Sequence, residues 1–278
     1  MKNILKKLIK NKFAMIGLTT IILLILVSVF APVISPYTPS QQNIFERLQP
    51  PSLTHIFGTD DLGRDVFTRM IFGARISLSV GFISVFIILV IGIFLGIVSE
   101  YYGGKADYII MRFTDIVLCF PTFFLIILVI AFVEPNIYNV MIVIGVTSWP
   151  GLARLVRAEV LSLKEREFIL VSKMMAVSNI KIFCVHILPN IISPLMVYSS
   201  LAIGGAILTE SALSFLGLGV QPPMSSWGQI LTSGKDYIYM ACWLSLFPGI
   251  AILVTVLAFN LVGEAIRDIL DPKEEHIE

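Results

Sequence analysis

Six stretches of the chain stay apolar for about the 20 residues that a bilayer crossing demands. Phe13 to Ile34 comes first and Ser77 to Val98 second. Tyr108 to Val133 is interrupted by Pro121, and Ile137 to about Val156 by Trp149-Pro150-Gly151. Ile191 to about Leu216 and Cys242 to Val262 complete the series. Backbone groups in lipid must be paired within the segment or in a closed barrel, so runs of this length read as helices. The pattern predicts an all-α polytopic membrane protein with six transmembrane helices. Between the first two runs, Ser35 to Gly73 carries prolines and no long apolar stretch. It predicts an extramembrane segment with a short helix at about Arg64 to Phe72. "VQPPMSSWG" (Val220 to Gly228) predicts a turn on the same side, with Trp227 as an interfacial anchor or a contact for a partner.

Composition supports this reading. The chain is 56% hydrophobic and 14% charged, against about a quarter charged in soluble domains. That excess of apolar surface has to face lipid. The net charge of +1 carries no signal for nucleic acid. Cys119, Cys184 and Cys242 are scattered, have no metal-ligand spacing, and read as packed interior residues.

Lysine and arginine set the orientation. Fifteen of the 20 fall before the first span, between the second and third, between the fourth and fifth, or after the sixth. The other five are Arg47, Arg64, Arg69, Arg75 and Lys235. This split predicts both termini on the cytoplasmic side. The basic start "MKNILKKLIKNKF" resembles a signal peptide, but the apolar run after it exceeds the 7–15 residues of a signal core. The expectation is an uncleaved first helix.

The long charged stretch between the fourth and fifth spans then lies in the cytoplasm. Leu161 to Met175 mixes charged and apolar residues without Gly or Pro, as an amphipathic helix does. "VSN" (Val177 to Asn179) is a turn signal, and Ser178 or Asn179 can cap a second helix over Ile180 to Leu188. Pro189 ends that helix or begins the next span. Met174, Met175 and Val177 stand at the tip, where soft apolar side chains suit a partner's groove.

Four stretches resemble one family. They are "FGTDDLGRDVFTRMIFGARISL" (Phe57 to Leu78), "LSFLGLGVQPPMSSWGQIL" (Leu213 to Leu231), "AFNLVGEAIRDILDP" (Ala258 to Pro272) and the loop "REF…HILPN". Together they resemble permease subunits of ATP-binding-cassette importers of the dipeptide, oligopeptide and nickel class. The resemblance implies a type I importer permease fold in the bacterial inner membrane. It implies a second permease, two ATPase subunits carrying ATP and Mg, and an extracytoplasmic binding protein. It also implies that Met174, Met175, Ala176, Val177, Ser178, Asn179, Leu188 and Pro189 couple the chain to an ATPase. The family's loop reads Glu-Ala-Ala with a later Gly, where this chain has Leu170, Val171, Ser172 and Ala176. A left-handed turn at Ala176 would cost roughly 1 kcal/mol. Leu170 is similar to some nickel permeases, whereas Glu210 followed by "SALSFLGLG" is more like the peptide branch. Short peptides are the expected cargo, with nickel or a nickel chelate as the alternative.

Catalysis has no visible machinery. "YYGGKAD" lacks the first glycine and the Ser/Thr of a phosphate loop, at Ser99 and Ala106. A membrane-embedded enzyme would need paired catalytic residues inside spans, and only isolated ones occur. No metal site is expected. Asp115 has Arg112 at i−3, a spacing that permits pairing. Glu210 lies deep in the fifth span beside Ser211, with no charge within a helical turn. Pore lining and an interhelical hydrogen bond are equally open to it. Glu210, Ser211 and Asp115 are the candidate residues of a translocation path. Gly92 and Gly96 give the second span a small-residue packing face. The chain thus divides into residues 1–75 (N-terminus, first helix and extracytoplasmic segment), a five-helix core over 76–272 with a coupling loop at about 159–189, and a tail over 273–278.

This topology predicts that reporter fusions at Gln42 and Lys235 are active only outside the cytoplasm, and one at Lys164 only inside. Reporter activity with the opposite sign, or a mature N-terminus lacking the first helix, would refute it.

Overall fold

A computed structural model of the chain describes residues 11–134 and 136–270. The basic start over 1–10 and the 273–278 tail lie outside the described residues. The long described elements are all helices: α1 (Lys12–Val29), α2 (Val66–Tyr102), α3 (Gly104–Leu118), α4 (Thr122–Ile130), α5 (Ile137–Thr147), α6 (Pro150–Lys164), α7 (Glu167–Met174), α8 (Leu188–Phe215), α9 (Trp227–Gly234) and α10 (Trp243–Leu270). Four long helical runs, α1, α2, Asn179–Phe215 and α10, can each cross a membrane unbroken. The third and fourth apolar runs are bent pairs. α3 and α4 meet at 84°, and α5 and α6 at 41°. A span interrupted at Pro121 was expected, and the bend there is nearly a right angle. Proline has no N–H to continue the helix and pushes the residue before it toward extended geometry. Pro150 instead starts α6, where its missing N–H costs nothing.

α1 is capped by Asn11, whose side chain accepts from the N–H groups of Phe13 and Ala14 at 2.9 and 3.2 Å. It buries only Ala14, Gly17, Ile21 and Ser28, one narrow stripe at helical spacing. A Cβ on Gly17 would lie 2.7 Å from the carbonyl oxygen of Ala258, so the glycine sets how closely α1 approaches α10.

α2 is the spine. Its 37 residues span about 55 Å, well beyond a hydrocarbon core of about 30 Å. It touches α1, α5, α6 and α8. The short helix expected at Arg64 to Phe72 is the first part of α2 rather than a separate element. Asp65 caps it, accepting from the Thr68 N–H at 2.7 Å. A Cβ on Gly92 would meet the Leu152 side chain at 2.8 Å, and one on Gly96 the Ala153 carbonyl oxygen at 2.7 Å. The small-residue face therefore packs α2 directly on α6.

The two ends of the bundle differ. At one, here the cap end, residues 35–65 fold over the start of α2. Asp60, fully buried, accepts from the backbone N–H groups of Leu62 and Arg64 at 2.9 Å and from Arg64 Nε at 2.7 Å. It also accepts from Arg69, whose other terminal nitrogen donates to Gln229 of α9 at 2.5 Å. His55 Nδ1 sits 2.9 Å from Asp65. Gly63 has φ +68°, and a Cβ there would lie 1.7 Å from the Asn43 carbonyl oxygen, so only glycine closes this turn. The Phe57 to Leu78 signature is thus a buried polar knot joined to a helix.

One expectation fails in this region and one elsewhere. Trp227 neither anchors at an interface nor awaits a partner. It is buried against α2, with Nε1 donating to the Met70 carbonyl at 3.1 Å. The expected outer turn forms over residues 220–226, and its last two residues, Trp227 and Gly228, open α9. The three cysteines are exposed rather than packed inside: Cys119 and Cys242 stand at the ends of helices, and Cys184 on the outer side of the π-helical stretch over Ile182–Ile187.

Asp60→Ala would leave Arg64 and Arg69 buried without their carboxylate, at a cost of about 3–5 kcal/mol. Denaturation of the detergent-solubilised protein should show a large loss of stability. Asp61→Ala, beside it and partly exposed, should show little. Equal effects would refute the assignment.

Candidate functional site

The loop between α6 and α8 forms the other, loop end of the bundle. α7 is held to the bundle by Ile169, which is fully buried with Ile182 and Ile187. Its remaining apolar side chains turn outward. Met174 is 86% exposed and Met175 73%, with Leu170, Val171 and Ile180 also exposed. The turn after α7 depends on Ala176, which adopts φ +54°. The left-handed turn occurs at the position where the family's glycine belongs, without a shift in register. Val177 follows, its N–H donating to the Ser172 carbonyl at 3.1 Å and its side chain packing partly inward. The exposed apolar tip is therefore Met174 and Met175 without Val177. Ser178 is the cap residue of the next turn but makes no side-chain capping bond. Asn179 instead accepts from the Tyr101 hydroxyl at 2.6 Å, tying the tip to the end of α2. Phe183 meets the Tyr101 ring edge-on at 4.4 Å. The second helix of the loop is not a regular one. Asn179–Lys181 passes into a π-helical stretch over Ile182–Ile187 and then directly into α8. Leu188 and Pro189 begin α8, exposed, at the base of the loop.

A ladder of ion pairs runs from this loop along α6. Lys164 pairs with Glu100 of α2. Arg157 makes a two-pronged contact with Asp107 of α3 at 2.6 and 2.7 Å and reaches Glu100 at 3.3 Å. Arg154 donates to Asp115 at 2.5 Å. The expected Arg112–Asp115 pair is therefore secondary. Arg112 stands 4.0 Å away, and the close partner comes from another helix. α3 buries only Thr114, so these pairs, more than packing, hold it in place.

Glu210 is fully buried in α8. Its Oε1 accepts from Ser214 at 2.6 Å and Ser226 at 2.7 Å. Ser226 in turn caps α9 by accepting from the Gln229 N–H at 3.1 Å. Of the two readings open to Glu210, the structure gives the interhelical hydrogen bond. It does not open onto a path in this conformation. Ser211 borders an apolar groove of about 490 Å³ with Leu208, Phe215 and Leu231, and Asp115 borders a charged cleft of about 440 Å³. Asp115 thus lies in a different cleft from the one beside Ser211 and its neighbour Glu210.

Residues 88–276 match the family described as binding-protein-dependent transport system inner membrane component. The chain belongs to this family. Residues 1–51 also match the N-terminal transmembrane domain of oligopeptide transport permease C. The dipeptide transport system permease protein DppC of Alkalihalophilus pseudofirmus is 46% identical over 96% of this chain and 88% of its own length. The oligopeptide transport system permease protein OppC of Bacillus subtilis is 40% identical over 95% of this chain and 86% of its own. A solved structure of the MetNI methionine ABC transporter covers 74% of this chain and 98% of that one, at 18% identity and a TM-score of 0.59. That likeness establishes the type I importer permease fold. The chain is accordingly a multi-pass inner-membrane permease subunit rather than an enzyme.

Ala176→Gly should stabilise the loop by about 1 kcal/mol, because glycine enters the left-handed region without a Cβ clash. Hydrogen exchange should slow at the Met175 and Val177 amides, which close the turn. Faster exchange would mean that the positive φ is not the strained element.

Proposed function

We propose that this permease subunit forms half of the translocation path of an ATP-driven importer of short peptides. A second homologous permease supplies the other half, and a binding protein delivers cargo from outside. ATP and Mg reside on two ATPase subunits, and the loop over 159–189 docks on one of them. Both termini and that loop lie on the cytoplasmic side. The observation that carries this reading is the Met174–Met175 tip. Two exposed methionines are held out on a turn that strains Ala176 and is braced by Asn179. An isolated membrane protein gains nothing from that arrangement, whereas a soluble partner's groove does. The relatives compared are named for dipeptides and oligopeptides, which favours peptide over nickel.

Cysteine at position 175, in a background with Cys119, Cys184 and Cys242 replaced, should cross-link to the ATPase in the assembled complex. Position 177 should react less, because its side chain turns partly inward. Labelling of position 175 by a lipid-phase photoprobe, without an ATPase adduct, would overturn the docking assignment.

A further inference from the structure

Charged groups in or beside a membrane span persist where water, a partner or cargo meets them. Asp107, Arg112 and Asp115 of α3 and Arg154 and Arg157 of α6 stand around one cleft of about 440 Å³, walled in part by Tyr108 and Met111. Its size falls within the range of small-ligand sites, about 300–1,000 Å³. Its charges are unequally matched. Arg157 is engaged by Asp107, and Arg154 takes Asp115 Oδ1 at 2.5 Å. Arg112 is left with Asp115 Oδ2 at 4.0 Å, beyond hydrogen-bond reach, and its side chain is 61% exposed. Its guanidinium lies 5.3 Å from the Tyr108 ring, which orients it along the cleft wall. Beside it the Asp115 side chain is 43% exposed. The cleft thus presents one cation with unused donors next to one carboxylate with an open oxygen.

We propose that this cleft is a bipolar subsite for zwitterionic cargo, in which Arg112 receives the α-carboxylate of a short peptide and Asp115 faces its ammonium group. The proposal rests on the peptide-importer reading and deepens it. The lining has three cations and two carboxylates, a mixture that matches a zwitterion. A lipid phosphate would meet both aspartates as well as the arginines. Guanidinium geometry suits a carboxylate, with two parallel N–H donors. Binding here is weak by construction. Arg154 and Asp115 already hold one another, so an arriving zwitterion exchanges one ion pair for another, and a transport path needs cargo that also leaves. The cleft lies on the same face of α6 that carries the ion-pair ladder toward the coupling loop, so a loop movement that shifts Arg154 would alter it.

The test uses the complete transporter in proteoliposomes, with its binding protein and a dipeptide bearing a diazirine side chain and free termini. Wild type should be labelled at Tyr108 or Met111. With Arg112→Gln, labelling and uptake should both fall by about fivefold, the scale of a half-exposed ion pair. Arg112→Lys, which keeps the charge, should restore much of both. Undiminished labelling of Tyr108 and Met111 in Arg112→Gln overturns the subsite while peptide import stands. Loss of co-purification with the second permease in Arg112→Gln makes this face a subunit interface and overturns it too. So does uptake that follows the fraction of anionic lipid while peptide labelling stays constant, which marks a headgroup site. Failure of wild type to import any peptide removes the importer reading itself.

Discussion

The close contact of α2 with α6 positions almost everything else in this chain. Gly92 and Gly96 leave no room for a side chain between the two helices. Lipid supplies no hydrophobic drive for helix association, so contact of this kind comes from small residues and van der Waals packing. With α6 seated on α2, Lys164 reaches Glu100, and Arg157 reaches both Glu100 and Asp107. The loop that follows α6 then starts from a fixed point, and Tyr101 at the end of α2 meets Asn179 at its tip. A larger residue at position 96 would therefore disturb the ion-pair ladder and the loop as well as the local packing.

The spans were legible because each is written as a long apolar run, four of them unbroken and two interrupted at a proline, and lipid enforces helix on such runs. What escaped depends on partners far away in sequence. The Arg64 to Phe72 segment reads as a short helix of its own because Ser35 to Gly73 carries prolines and no long apolar run. The burial of Arg64 and Arg69 requires Asp60, and Gln229 is about 160 positions further on. Asp115 was paired with Arg112 by helical spacing, whereas Arg154 reaches it from another helix at a bend that no local pattern encodes. Trp227 reads from sequence as an interfacial anchor or a partner contact, because the Met70 carbonyl that receives its N–H is 157 residues away. The positive φ at Ala176 was half readable: a family glycine marks the position, but Asn179 or a shifted turn could have taken its place. The inward turn of Val177 was not, because it follows from packing against the core, which no local pattern encodes.

Glu210 shows how an isolated carboxylate in a span can be structural. Nothing within one helical turn on α8 carries charge, so sequence alone leaves it free for cargo or for another helix. Ser226 settles its place by approaching from the turn before α9. One carboxylate oxygen then joins α8, that turn and the cap of α9. This cluster lies next to the contact between Trp227 and α2, so the cap end is bound together by polar groups removed from solvent.

The two ends of the bundle are fastened by different physics. At the cap end, Asp60, Arg69 and Glu210 are buried, and breaking any of their contacts would strand a polar group in an apolar interior. At the loop end, Arg154, Asp115 and Arg112 are about half exposed, where each pair is worth roughly 1 kcal/mol or less and weakens with salt. α3, with one buried residue, depends on such pairs to stay against α6. Of the contacts at the two ends, those between α3 and α6 at Asp115 are therefore the ones that salt weakens most.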